Sequence, residues 1–113
     1  MNLQIIGTKS CNETRKAERF FKERNIHFHF RDLNEKSLSK GELANITFSY
    51  SPDKLIDREG KQYKKRNMQY MKFDIMEELI NDSLLLKTPI VRNGKNATIG
   101  YQPDTWIKWI NEN

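Results

Sequence analysis

The spacing of apolar and polar residues changes several times along the chain, and each change predicts an element. Leu3 to Gly7 reads LQIIG, a short apolar run closed by glycine, which suits a buried strand because it is too short for a helix. Ser10 and Glu13 then stand at capping-box spacing, so a first helix is expected to begin at Cys11. Its apolar stripe is Ala17, Phe20 and Phe21, with Lys16, Glu18, Arg19, Lys22 and Glu23 turned to water. Asn25 predicts the helix stop. From Ile26 the period becomes two, with Ile26, Phe28 and Phe30 on one face and His27, His29 and Arg31 on the other, which predicts a second strand. Strand, helix and strand in about 30 residues make a βαβ unit with a right-handed crossover and parallel strands.

The middle of the chain reads as helix starts. Ser39 and Glu42 repeat the capping-box spacing, and Leu38 with Leu43 sits at hydrophobic-staple spacing, so a helix begins near Lys40. Ser51-Pro52 marks another start, since proline at the first helical position lacks only a donor that would be unpaired anyway. Asp74 and Glu77 announce a third, with Ile75, Met76, Leu79 and Ile80 as its buried stripe. Residues 39 to 86 are therefore expected to form a helical insert in several short pieces.

Strand character returns at Pro89, Ile90 and Val91, and Asn93-Gly94 predicts a hairpin turn before Ala97, Thr98 and Ile99. Pro103 opens a last helix whose Trp106, Ile107, Trp109 and Ile110 are spaced to cover the sheet. The expected order is β-α-β, helical insert, β-β-α, an α/β chain with no internal repeats.

Length and composition narrow this. At 113 residues and 36% hydrophobic content the chain predicts one domain, 1 to 113, with a modest core. The charged fraction of 31% is mixed in sign along the sequence, which favours a folded domain over a disordered one. No run approaches the roughly 20 apolar residues that cross a bilayer, and the start lacks a signal-peptide pattern, so the expectation is a cytoplasmic protein with no membrane partner. A net charge of +5 and a pI near 9.4 would attract anions. The densest basic tract, Lys61, Lys64, Lys65 and Arg66, reads as the solvated face of a helix rather than a nucleic-acid patch, and no direct nucleic-acid binding is expected.

The candidate chemistry centres on Cys11, the single cysteine. One cysteine makes no internal disulfide, so any disulfide must involve another molecule. A cysteine in the first turn of a helix meets unpaired N–H groups and the positive end of the dipole, and both favour thiolate. Arg15, one turn on, is placed to add positive charge or hold an oxyanion, Lys9 is a second nearby cation, and Glu13 works against them. The competing reading is a small buried residue with no chemistry. Thr88-Pro89 stands where an X-Pro bond has a small chance of being cis. His27 and His29 alternate without a further ligand at metal-site spacing, so no metal is expected.

With these elements in order, the segments GTKSCNETRKAERFFKERNI, LIDREGKQYKK and KTPIVRNGKNATIGYQPDTW resemble the arsenate reductase (ArsC) and Spx family over nearly the whole chain. Cys11 and Arg15 match its Cys-x-x-x-Arg motif. The resemblance implies a thioredoxin-like, glutaredoxin-like fold with a mixed four-stranded sheet. It implies Cys11 as nucleophile, Arg15 as stabiliser of its thiolate and Pro89 as a cis-proline facing it. Lys9, Ser10, Arg58, Lys87, Thr88 and Pro89 then become the candidate substrate-binding residues. The family's reductases form an arsenic adduct on the cysteine and resolve it with glutathione and glutaredoxin, so an outside thiol donor is implied and no bound cofactor. Those reductases carry further arginines where this chain has Asp57, Thr88 and Gln102, with Arg58 and Lys87 as neighbours. Arginine is not replaceable in a bidentate oxyanion clamp, which argues against arsenate as the substrate. Spx-type members carry Cys-x-x-Cys, but position 14 is Thr14, so that internal switch is absent. Three functions follow: a glutathione- or glutaredoxin-linked thiol oxidoreductase, a regulator that docks on the RNA polymerase alpha subunit as Spx does, or an inactive family member.

Overall fold

The protein's structure, a computed structural model, describes residues 1 to 112. The expected domain end at 113 lies one residue outside them. Four strands form one mixed sheet in the order β2-β1-β3-β4. β1 (Leu3–Gly7) runs parallel to β2 (His29–Asp32) and antiparallel to β3 (Ile90–Asn93), and β3 pairs antiparallel with β4 (Asn96–Ile99).

Alternation along β1 divides the core in two. Leu3 and Ile5 face α1 (Asn12–Glu23) and α6 (Pro103–Asn111), where they pack with Ala17, Phe20, Phe21, Val91, Trp106 and Trp109. Trp106 is fully buried, and its Nε1 donates to Thr98 Oγ1 at 2.9 Å, satisfying the polar edge of the ring. Ile6 and Ile90 face the opposite way, into a second cluster built with the insert. The insert comprises α2 (Lys40–Ile46), α3 (Pro52–Leu55), α4 (Lys61–Lys65), α5 (Ile75–Asn81) and two 3-10 turns.

Local signals account for most of these boundaries. Both bonds of the Ser39–Glu42 capping box form, at 3.1 and 3.0 Å, and Leu38 and Leu43 are buried in the same cluster. Asp74 caps α5 by accepting from Met76 N and Glu77 N, at 3.0 and 3.4 Å. Asn25 stops α1 in the left-handed conformation, φ 56°.

Four sequence expectations need correction. The Ser10–Glu13 box does not form: α1 starts at Asn12, and Cys11 is the N-cap with extended backbone (φ −81°, ψ 119°), which leaves Ser10 one residue outside the helix with its hydroxyl 3.3 Å from Thr8 Oγ1. β2 begins at His29 and not at Ile26, since Ile26 N still donates to Phe21 O at the end of α1. Ile107 is 40% exposed, about 100° of helix away from the Trp106 face that meets the sheet. Arg66 leaves the basic face of α4, with its guanidinium bonded to Glu78 and Asp82.

Candidate active site

The turn between β1 and α1 places the sulfur. Gly7 closes β1 against Thr14 of α1; a Cβ added at Gly7 would stand 2.4 Å from Thr14 Oγ1, so only glycine allows this approach. Thr14 is fully buried as a result, and its Oγ1 has no partner in hydrogen-bond geometry. Cys11, half-buried at the N-cap, is the group beside which this hydroxyl is stranded. Opposite, the segment leading into β3 brings Thr88 to the sulfur. Thr88 Oγ1 donates to Cys11 Sγ at 3.3 Å, and the protonated thiol can donate to Thr88 O at 3.7 Å. The Thr88-Pro89 bond is cis, and Pro89 is buried.

These surroundings set the ionisation of the thiol. Burial opposes the charged form, but the Thr14 and Thr88 hydroxyls and the backbone N–H groups of Thr14 and Glu13 outweigh it and hold the Cys11 pKa below its ordinary value. The amides act as the open end of α1, outside formal cap geometry. The unpartnered Thr14 hydroxyl acts the same way, since a thiolate gives it the acceptor that it lacks.

A cavity of about 350 Å³ opens beside the sulfur, lined on one side by Thr8, Ser10, Cys11 and Thr88 and on the other by the insert, including Asp57 and Lys61. Of the residues singled out from the sequence, Ser10, Cys11 and Thr88 therefore meet, with the cis Pro89 directly behind Thr88. Lys9 is exposed and Lys87 half-buried, and neither lines the cavity. Arg15 is not brought to the sulfur: it is exposed on α1, and its guanidinium donates to Asn12 Oδ1. Arg58 is also held elsewhere, with Nη2 on Asp53 Oδ1 at 3.1 Å and Nη1 on the Tyr63 hydroxyl at 3.2 Å. Thr14 was visible in the sequence only as a missing second cysteine; its burial depends on the Gly7 contact, which no spacing reveals. Among the described residues, no group of three or more His, Cys, Asp or Glu side chains is arranged to hold a metal.

Comparison with known proteins agrees with this architecture. The ArsC family profile matches residues 6–109. The global transcriptional regulator Spx 2 of Oceanobacillus iheyensis is 31% identical over an alignment 127 positions long, gaps included, covering 96% of this chain and 93% of the relative. Among solved structures, the YffB protein superposes with a TM-score of 0.82 at 19% identity, covering 95% of this chain and 97% of its own. An arsenate reductase from Vibrio cholerae superposes with a TM-score of 0.77 at 17% identity, covering 96% and 97%. The structural likeness shows a shared thioredoxin-like fold, and with the profile and the regulator's identity it establishes that this chain belongs to the ArsC family.

Proposed function

We propose that the chain is a single-cysteine thiol oxidoreductase linked to glutathione or glutaredoxin, with arsenate not its substrate. The observation that carries this reading is the Thr88 Oγ1 to Cys11 Sγ contact of 3.3 Å at an open cavity, where the thiol pKa is lowered. A thiolate fraction at neutral pH is what nucleophilic sulfur chemistry requires. In the first step the Cys11 thiolate attacks one sulfur of a substrate disulfide. A bond forms between Sγ and that sulfur, the substrate S–S bond breaks, and the other half leaves as thiolate. With no second cysteine in the chain, an outside thiolate then attacks the mixed disulfide and releases Cys11 in its reduced form. Arsenate fits poorly, because no arginine lines the cavity and Asp57 does.

Incubation with oxidised glutathione followed by mass spectrometry tests the reading. It predicts a glutathione adduct on Cys11 that reduced glutaredoxin removes, and none on Cys11→Ser. Absence of the adduct on the wild-type protein rejects it.

A second reading, a regulator docking on the RNA polymerase alpha subunit in the cytoplasm, is favoured by the 31% identity to a protein named a global transcriptional regulator. It predicts that the alpha subunit is retained by the immobilised protein and equally by Cys11→Ser. Retention of nothing by either counts against it.

A further inference from the structure

The cavity beside Cys11 has two charged groups in its lining, and they differ in how firmly they are held. Asp57 is half-buried and fixed by its backbone. Its N–H donates to Leu85 O at 2.8 Å, and Lys87 N donates to Leu55 O at 2.8 Å, around a lone bridge between Ile56 and Leu86. This bridge ties the Asp57 segment to the strand entry that carries Thr88. The carboxylate is further held by the Glu59 N–H, which donates to Oδ1 at 3.1 Å. Lys61 is exposed, where water screens its charge. On the sulfur side, the fully buried Thr14 hydroxyl without a partner marks a site built to meet a negative sulfur.

A fixed carboxylate in the wall of a cleft repels anions and attracts cations at short range, whatever the charge of the whole chain. The chain as a whole carries +5, so any preference for a cation here must be local. We infer that Asp57 makes the Cys11 cavity prefer, among the disulfides it accepts, those that carry an ammonium group near the reacting sulfur; neutral and anionic disulfides, oxidised glutathione among them, still form the Cys11 adduct but more slowly. The inference rests on the thiol-oxidoreductase reading and names its substrate class. In the exchange, the Cys11 thiolate bonds to one sulfur of an aminothiol disulfide. The S–S bond breaks, the second aminothiol departs as thiolate, and the ammonium of the retained half sits against Asp57.

The test measures the rate at which Cys11 is modified by three symmetrical probes: cystamine, hydroxyethyl disulfide and dithiodipropionate, which are cationic, neutral and anionic. The quantity read is the ratio of the cystamine rate to the hydroxyethyl disulfide rate, compared between wild type and Asp57→Asn so that intrinsic reactivity cancels. The expected result is a fall in this ratio of about threefold or more in Asp57→Asn, a faster reaction with dithiodipropionate, and no change in Glu59→Gln, whose side chain lies outside the cavity. Asp57→Ser keeps an oxygen acceptor for the turn and serves as the second variant if Asp57→Asn does not fold. An unchanged ratio in Asp57→Asn or Asp57→Ser, or an equal fall in Glu59→Gln, overturns the inference while leaving the thiol chemistry standing. No modification of wild-type Cys11 by any probe overturns the underlying reading instead.

Discussion

The Thr88 hydroxyl hydrogen-bonds the Cys11 sulfur at 3.3 Å across 77 residues of sequence, joining the start of α1 to the entry of β3. Because a hydrogen bond to an ionised acceptor is stronger than one to a neutral acceptor, this contact favours thiolate over thiol. Thr88→Val keeps the shape and removes the donor. Its Cys11 pKa should rise, and alkylation at pH 7 by iodoacetamide should slow by roughly threefold with the circular dichroism spectrum unchanged. An unaltered rate would remove Thr88 from the account.

The same ionisation should appear in folding stability. A thiol whose folded pKa lies below its unfolded value adds stability that is fully present above the unfolded pKa and is lost as pH falls through the folded pKa. The window therefore runs from the lowered folded value up to about 8.5. Urea titrations should show the wild type gaining on Cys11→Ser as pH rises through that window, with a constant difference on either side. Parallel stability curves would contradict the sign of the shift.

Gly7→Ala should be costly, because its Cβ would collide with Thr14 Oγ1 at 2.4 Å and Thr14 Cγ2 at 2.8 Å. Overpacking of this kind costs about 1–3 kcal/mol. Adding Thr14→Ala removes both colliding atoms, so the double variant should recover part of the loss in a denaturation cycle. Simple additivity of the two losses would show that the collision is not the cause.

Arg66 ties α4 to α5 and to the turn after it, bonding Glu78 and Asp82 from positions 12 and 16 residues away. Its side chain is 31% exposed, so the pair is partly screened and Arg66→Gln should cost about 1–2 kcal/mol. Lys64→Gln on the solvated face should change stability by under about 0.5 kcal/mol. Urea midpoints separate the two, and equal effects would mean that Arg66 is no more structural than its neighbours.

These cases show where reading the sequence works. Short-range chemistry was legible: the Ser39–Glu42 box, the Asp74 cap, the Asn93-Gly94 turn and the helical stripe of Ala17, Phe20 and Phe21 all act within a few residues. The Ser10–Glu13 spacing misleads because two adjacent residues could each start α1, and the extended backbone of Cys11 makes it the N-cap and leaves Ser10 outside the first turn. Arg15 sits one turn beyond Cys11, yet its partner is Asn12 on the outer face of α1, a choice that spacing leaves open. Asp57 appeared as a lost arginine, and its place in the cavity wall depends on the Ile56–Leu86 bridge, a contact between distant segments. The basic run through Arg66 likewise conceals a partly exposed guanidinium paired with carboxylates that are remote in sequence.

The most direct measurement is the rate of Cys11 alkylation followed from acid to alkaline pH, with the inflection giving the thiol pKa. The account predicts an inflection clearly below the roughly 8.5 of a free cysteine, moving upward in Thr88→Val. An inflection at or above that value, unmoved by Thr88→Val, would contradict it.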